Sequence, residues 1–287
     1  MSAKVAFIGL GVMGFPMAGH LKSKGYDVTV YNRTASKADE WVKKFGGKAA
    51  KTPAEAARDQ DFVMTMVGND DDVYAVTIGP GGALETMRKG AILVDHTTAS
   101  ADCARKVFAE AKKKGVDFID APVSGGQAGA ENGKLTVMCG GEPGPFERAK
   151  PVMDSYARAV TLLGPAGAGQ LTKMVNQVCI AGLVQALSEG IAFAEKAGLD
   201  VEQVLDVISK GAAQSWQMEN RGKTMHARKF DFGFAVDWMR KDLGIAMAEA
   251  KRNGAKLPVT QTVAGYYDEV SKNGGQRYDT SSLITRL

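Results

Sequence analysis

The first 163 residues alternate short apolar, β-rich runs with helical patterns, and this alternation constrains the fold more than any other feature of the chain. The β-rich runs are VAFIGL, DVTVYN, DFVMTMV, AILVDHTT, VDFIDAPV, LTVMCGG and AVTLLG. Between them lie helical segments such as MAGHLKSKG, SKADEWVKKFG and ADCARKVFAEAKKKG. Strands that alternate with helices predict βαβ units and a mostly parallel, doubly wound sheet.

The strand-like pattern stops after Leu163, and every recognisable segment from there to Leu287 is helical. One helical pattern runs from about residue 169 to residue 197, which at ~1.5 Å per residue gives a helix of about 40 Å. A chain of 287 residues is long enough for two domains. We therefore predict an α/β domain over residues 1–164 and an all-α domain over residues 165–287, joined by this long helix.

Composition and charge indicate a globular protein without a nucleic-acid partner. Hydrophobic residues make up 45% and charged residues 24% of the chain, and the formal net charge of +4 is spread along it. The densest basic run, Lys112-Lys113-Lys114, closes an amphipathic pattern and is typical of a solvated helix end. The three cysteines lack the spacing of a disulfide framework or a metal site, which fits a reducing cytoplasm.

No targeting or membrane segment is expected. The N-terminus leads directly into KVAFIGLGVMG without a cleavage site, which indicates a first strand and not a signal peptide. The apolar run after Lys173 is interrupted by Asn176, Gln177, Gln185 and Ser188, so we expect no segment able to span a bilayer. We therefore predict a soluble, cytoplasmic protein with no membrane partner.

The first predicted strand leads into a glycine-rich turn, Gly9-Leu10-Gly11-Val12-Met13-Gly14, followed by a helical pattern. Glycine at the first two positions allows a tight turn and lets a pyrophosphate approach the backbone, while the third lets the helix pack against the strand. The helix N-terminus attracts the phosphates. In this context the turn predicts a dinucleotide site, and a purely structural glycine turn is the alternative.

The end of the second predicted strand indicates which dinucleotide is bound. An NAD site expects Asp or Glu there to hold the ribose 2′-hydroxyl. This chain instead has Asn32, Arg33 and Thr34. No carboxylate repels a 2′-phosphate, and a guanidinium can pair with one. We predict that NADP(H) is preferred over NAD(H), the alternative being that Arg33 only faces solvent.

Two further stretches are candidates for substrate chemistry. Ser124-Gly125-Gly126 follows a predicted strand, where ligands of open α/β sheets bind, and a hydroxyl with exposed backbone N–H groups suits a carboxylate. A tight turn is the alternative. Lys173 heads a run, residues 174–188, that carries no charged side chain.

Residues 173, 176, 177 and 180 fall on one face of a helix, so Lys173 is expected beside the amides of Asn176 and Gln177. An apolar surround disfavours the ammonium and is expected to lower the pKa of Lys173, which eases proton exchange near neutrality. The alternative is a surface lysine whose amine extends into solvent.

Four motifs recur in order along nearly the whole chain: FIGLGVMGFPMAGHL, DAPVSGG, GAGQLTKMVNQ and RKDLGIA. In these motifs the chain resembles the β-hydroxyacid dehydrogenase family, relatives of 3-hydroxyisobutyrate dehydrogenase and of tartronate, glyoxylate and succinic semialdehyde reductases. The resemblance implies a Rossmann-type domain joined by a long helix to an all-α substrate and dimerisation domain, in homodimers or homotetramers.

The resemblance also implies a role for each matching residue. Lys173 would be the catalytic acid/base. The carboxylate and the oxygen functions of a small substrate would be bound by Ser124, Gly125, Gly126, Asn176 and Gln177. Beyond the glycine-rich turn and residues 32–34, the cofactor would be met by Thr98, at the nicotinamide ribose, and by Lys241, which has Asp242 as its neighbour. Many relatives carry Asn-Asn at positions 176 and 177, whereas others share the Asn-Gln of this chain.

The expected activity is the interconversion of a small β-hydroxy acid and its semialdehyde or oxo acid, by hydride transfer to or from the nicotinamide. No metal is expected, because His20, His96 and His226 lack Glu or Cys partners at metal-ligand spacing. An imine reductase on the same fold is one alternative, although such relatives usually carry Asp or Tyr in place of the lysine. The other alternative is a catalytically silent NADP-binding scaffold, a role in which some relatives have lost the lysine.

Overall fold

The computed structural model describes residues 3–287. Its contacts divide the chain into two compact units, Met1–Lys173 and Met174–Leu287, and the division falls inside one long helix. The sequence-based boundary near residue 164 stays a prediction.

The first unit alternates strands and helices along the chain. Its strands are β1 Lys4–Ile8, β2 Asp27–Tyr31, β3 Lys48–Ala49, β4 Phe62–Thr65, β5 Ile92–Asp95, β6 Asp117–Asp120, β7 Val123–Ser124, β8 Leu135–Gly141 and β9 Ala157–Leu162. Its helices are α1 Gly14–Ser23, α2 Ala35–Phe45, α3 Pro53–Ala57, α4 Asp70–Thr77, α5 Ala101–Lys113, α6 Gly126–Glu131 and α7 Pro143–Met153, with a 3₁₀ turn at Ala83–Glu85. Helix α8, Ala168–Lys196, begins in this unit.

The sheet has the strand order β3-β2-β1-β4-β5-β6-β8. All pairs from β3 to β6 are parallel, β8 runs antiparallel to β6 and β7, and β9 is parallel to β8. The strand order reverses between β1 and β4, and ligands of such sheets bind at the carboxyl ends of the strands near this point. The sheet confirms the α/β fold class expected from the alternating pattern.

Both faces of the sheet are covered, which explains why the strands are continuous apolar runs. Alternate side chains of β1 point to opposite faces. Val5 and Phe7 belong to one core cluster, with the fully buried Trp41 of α2, whereas Ala6 and Ile8 belong to the other. The glycine-rich turn is therefore held by a strand that is packed on both sides.

The second unit is helical, as expected. It contains the rest of α8, then α9 Val201–Ile208, α10 Trp216–His226, α11 Val236–Asn253 and α12 Pro258–Val270, followed by short turns at Ser271–Gly275 and Thr280–Arg286. One core cluster joins α8, α11 and α12 through side chains such as Val184, Leu243 and Tyr267. A second core cluster joins α8, α9 and α10 through Ile191, Leu205 and Met225.

Helix α8 corrects one expectation from sequence. Among the described residues it is long and apolar enough to cross a membrane by length and composition, although four polar residues interrupt its apolar run. In the structure 44% of its most apolar stretch is buried within the protein. A core helix of a globular protein meets the same two criteria, so this feature is weak evidence for a membrane segment.

Candidate functional site

The glycine-rich turn lies between β1 and α1, with Met13 immediately before the helix. Gly9 has φ +99°, and a Cβ there would collide with the carbonyl oxygen of Met66. A Cβ on Gly14 would collide with the carbonyl oxygen of Gly9, so the third glycine is needed where the helix meets the turn. At Gly11 a Cβ would meet nothing within 4 Å. Gly11 therefore leaves the backbone open, as close approach of a pyrophosphate would require.

In the segment after β2, the Asn32 side chain is hydrogen-bonded to the backbone and the Arg33 side chain is exposed. Asn32 accepts a hydrogen bond from the Leu10 N–H (2.9 Å) through Oδ1 and donates one to the Thr34 carbonyl (3.0 Å) through Nδ2. Asn32 thus connects the end of β2 to the glycine-rich turn. The Arg33 side chain is 87% exposed, and its Nη1 lies 3.2 Å from Oδ1 of Asp72, in the first turn of α4. Its guanidinium is available to an anion at this edge.

Thr98 follows β5 in a segment that is fixed by buried hydrogen bonds. Oδ1 of Asp95 accepts from the Thr65 hydroxyl (2.6 Å) and from the Thr97 N–H (3.1 Å). The Thr97 hydroxyl accepts from the Val67 N–H (3.0 Å). Burial raises the pKa of Asp95 to about 6, whereas the bonds from Thr65 and Thr97 act in the opposite direction. Thr98 itself is half-buried at the carboxyl edge of the sheet.

Ser124 ends β7, and Gly125 and Gly126 open helix α6. Both glycines have positive φ values, +126° and +60°, in a region where other residues are strained. Ser124 and Gly126 are partly exposed and Gly125 is exposed, so the turn can meet a solute. The structure thus places a tight turn with an accessible hydroxyl at the end of β7, and the carboxylate site stays a prediction.

Lys173 lies near the start of α8 and is only 7% exposed. Lysine is rarely buried unless its amine has a partner or a function. Asn176 and Gln177 follow on the same helical face, half-buried and buried. This burial is what the sequence predicted for Lys173, and it argues against the alternative of a surface lysine with a solvated amine.

In the helical unit, a chain of polar contacts joins α8 to α11. Nε2 of Gln177 donates to Oδ2 of Asp242 (2.6 Å), and Oε1 of Gln177 accepts from Nδ2 of Asn176 (2.8 Å). The amine of Lys241 lies 3.2 Å from Oδ1 of the buried Asp242. Both ends of the Gln177 amide thus have protein partners, and its Oε1 helps to orient Asn176.

Two family models together match almost the whole chain. The NAD binding domain of 6-phosphogluconate dehydrogenase matches residues 4–164, and the NAD-binding domain of NADP-dependent 3-hydroxyisobutyrate dehydrogenase matches residues 167–287. The chain belongs to the β-hydroxyacid dehydrogenase family. The second model accounts for the helical unit, and the first accounts for the strands that carry the glycine-rich turn.

Individual β-hydroxyacid dehydrogenase relatives align over the full chain. An uncharacterised oxidoreductase of Shewanella frigidimarina is 64% identical over 285 residues, covering 99% of this chain and 98% of its own. The 2-hydroxy-3-oxopropionate reductase of Escherichia coli is 35% identical over 284 residues, covering 99% and 97%. A structure of Mycobacterium tuberculosis 3-hydroxyisobutyrate dehydrogenase with L-serine superimposes with a TM-score of 0.89 at 31% identity, covering 100% and 99%.

Sequence analysis missed three polar residues around these sites. Asp72 pairs with Arg33 although the two are 39 residues apart, and no local sequence pattern predicts a pair at that separation. Asp120, the last residue of β6, and Gln170, in the first turn of α8, are both buried. The signal that could have found them is the glycine pair Gly167 and Gly169, which implies close approach of another segment just before Lys173.

Proposed function

We propose that this β-hydroxyacid dehydrogenase interconverts a small β-hydroxy acid and its semialdehyde or oxo acid with NADP(H), using Lys173 as general acid/base and no metal. The observation that carries the proposal is the burial of Lys173 on an otherwise uncharged helix face beside two amides. Burial disfavours the charged form of an amine, and an amine in such a place is suited to take up and release a proton.

The residues of this chain would act in the following way. The hydroxyl of Ser124 and the N–H groups of Gly125 and Gly126 would bind the substrate carboxylate. In a β-hydroxy acid the hydroxyl is carried by the carbon next to the α-carbon, and a bound carboxylate would direct that hydroxyl towards Lys173. Lys173 would take the hydroxyl proton during oxidation and return it during reduction. Asn176, oriented by Gln177, would hydrogen-bond the substrate oxygen functions. When bound, the nicotinamide accepts or supplies the hydride.

The short segment that follows β2, residues 32–34, favours NADP(H) over NAD(H). Arg33 offers an exposed guanidinium where a 2′-phosphate would lie, and no Asp or Glu stands at residues 32–34. The family model that matches the helical unit is that of an NADP-dependent enzyme. The glycine-rich turn would hold the pyrophosphate at Gly11, Thr98 would meet the nicotinamide ribose, and Lys241 would reach the cofactor from α11.

A spectrophotometric panel tests the proposal. It pairs NADPH and NADH with glyoxylate, succinic semialdehyde and tartronate semialdehyde, and NADP⁺ and NAD⁺ with 3-hydroxyisobutyrate and L-serine. We expect turnover on at least one β-hydroxy acid or semialdehyde, faster with the phosphorylated cofactor. Binding of NADPH without any turnover would instead support a scaffold, and turnover confined to added imines would support an imine reductase.

We further propose a cytoplasmic homo-oligomer with no nucleic-acid or membrane partner. The helical unit exposes large apolar side chains, among them Val175, Phe193, Val207 and Val259. Apolar exposure of this kind is typical of surfaces that pair in oligomers.

A further inference from the structure

The helix that carries Lys173 begins without a capping side chain of its own. Gly167 precedes its first residue, Ala168, and glycine offers no acceptor to the unpaired N–H groups of a first helical turn. Asp120, the last residue of β6, supplies the missing acceptors. Its Oδ1 accepts from the Gly167 N–H (2.7 Å), and its Oδ2 accepts from the Gln170 N–H (2.9 Å). The cap of α8 therefore comes from the central sheet.

The start of α8 approaches β6 and β8 more closely than any side chain would permit. A Cβ on Gly169 would lie 2.6 Å from the Asp120 carbonyl oxygen. A Cβ on Gly140 would lie 2.6 Å from Oδ1 of Asp120 and 2.8 Å from the Ala168 nitrogen. Each contact is shorter than real Cβ atoms tolerate, so these two glycines are required for the Asp120 cap.

Gln170 joins the same helical turn to the segment that carries Thr98. Its Oε1 accepts from the Ala99 N–H (3.0 Å), and its Nε2 donates to the Thr97 carbonyl (2.7 Å). The side chain of Gln170 is fully buried. Gln170 precedes Lys173 by three residues, so the two side chains lie on neighbouring positions of one helix face. The Gln170 amide thus connects the backbone on both sides of Thr98 to the helical turn that precedes Lys173.

We propose that Asp120 and Gln170 are positioning residues that hold the Lys173 amine in register with the Thr98 segment. This inference rests on the proposed function, in which Lys173 exchanges the proton and Thr98 meets the nicotinamide ribose. Catalysis by an acid/base requires its reactive atom within hydrogen-bond reach of the substrate, and a shift of about 1 Å can cost on the order of 100-fold in rate. Neither residue touches the reacting atoms.

The first test replaces Gln170 with methionine, which has a similar size and helix propensity but cannot make either hydrogen bond. We expect kcat to fall by about 10- to 100-fold with the fastest compound of the panel above, and the Kd for NADPH to change much less, because the glycine-rich turn and Arg33 are unaltered. Gln185→Met is the matched control, because Gln185 is also buried on α8 but, among the residues that the structure describes, donates its hydrogen bond to Glu189 one turn away on the same helix. The control should keep wild-type kcat.

A double-mutant cycle with Lys173→Ala separates positioning from general destabilisation. If Gln170 acts through the lysine, Gln170→Met should have almost no further effect on kcat once Lys173 is alanine. Full additivity of the two losses, or wild-type kcat in Gln170→Met, would overturn the inference. Wild-type kcat in Lys173→Ala would instead overturn the proposed role of the lysine, so the two failures are distinguishable.

Asp120→Asn provides a second route if Gln170→Met does not fold. Asparagine keeps the size of the side chain but can accept only one of the two backbone N–H bonds. We expect the same pattern of lost kcat, unchanged NADPH affinity and non-additivity with Lys173→Ala. An Asp120→Asn enzyme with wild-type kcat would overturn the inference for the cap.

Discussion

The cofactor preference can be tested at Arg33, because the structure allows the competing interaction to be weighed. The guanidinium lies 3.2 Å from an Asp72 carboxylate oxygen, and the two side chains are 87% and 31% exposed. An ion pair with this exposure contributes only ~0.2–1 kcal/mol. A charge-assisted contact between a guanidinium and a phosphate contributes ~1.5–3 kcal/mol. The 2′-phosphate should therefore displace Asp72.

Arg33→Asp removes the phosphate contact and places a new carboxylate near the phosphate. At ~1.4 kcal/mol per tenfold change, the lost contact alone should weaken NADPH binding by about 10- to 150-fold, and repulsion adds to this loss. The Kd for NADH, which lacks the phosphate, should stay close to that of the wild type. Asp72→Asn releases Arg33 and should strengthen NADPH binding by up to about fivefold.

Calorimetric titration of both cofactors measures these effects. Arg252→Asp is the control for the change in net charge, since Arg252 pairs with Glu249 on α11, in the other unit. The control should leave both dissociation constants unchanged. A wild type that prefers NADH, or an Arg33→Asp variant with an unchanged ratio of the two constants, would refute the reasoning.

Three further predictions concern the substrate, acid stability and assembly. Ser124→Ala should raise KM for substrates that carry a carboxylate more than for a matched aldehyde without one; equal losses in steady-state kinetics would mean that the serine does not recognise the acid group. Burial lowers the pKa of His96 to about 4, with Nδ1 donating to the Ala121 carbonyl and Nε2 facing the Tyr156 hydroxyl. Between pH ~6.5 and pH ~4 the imidazole should therefore be protonated in the unfolded state and neutral in the native state. As the pH falls through this range, His96 should lower the free energy of unfolding by about 3 kcal/mol. In urea titrations at a series of pH values, His96→Asn should lose that slope, and an unchanged slope would contradict the assignment. Phe193 is 73% exposed on α8, and Phe193→Glu should shift sedimentation towards the monomer, whereas a wild type that already sediments as a monomer would contradict the proposed oligomer.

The sequence predicted the elements whose pattern is local. The long helix expected over residues 169–197 is α8, Ala168–Lys196, and each predicted β-rich run contains a strand. Short elements such as α3, Pro53–Ala57, were not predicted, because five residues are too few to show a periodic pattern. Its N-cap signal was present nonetheless: the Thr52 hydroxyl accepts from the Glu55 N–H, and the Glu55 carboxylate accepts from the Lys51 N–H, one residue before the cap.

The candidate site divides in the same way. The glycine-rich turn and Ser124-Gly125-Gly126 could be recognised because their backbone requirements are local. The long-range partners could not be recognised in this way. Asp72 binds Arg33, Asp242 binds Gln177, and Asp120 caps the helix of Lys173, each from a segment 39 to 65 residues away. For Asp72 and Asp242 the sequence contains no such signal. For Asp120 it contains only Gly167 and Gly169, which indicate a close approach but not the residue that approaches. Only the topology of the sheet and the packing of α8 against α11 bring them together.

The central claim is that Lys173 exchanges the substrate proton. Lys173→Ala should keep the helix and the NADPH site, because alanine is the best helix former and the glycine-rich turn lies elsewhere in the fold. Its kcat should fall by about two to four orders of magnitude while the Kd for NADPH stays near the wild-type value.

The most direct measurement is the pH dependence of hydroxy-acid oxidation in the wild type and in Lys173→Arg. Arginine keeps the positive charge but does not release its proton at any pH at which the protein is stable. We predict that wild-type turnover rises with pH as the base is unmasked, and that Lys173→Arg is nearly as inactive as Lys173→Ala and lacks this rise. A Lys173→Arg enzyme with wild-type turnover and the same pH profile would contradict the claim, because the residue would then supply only charge.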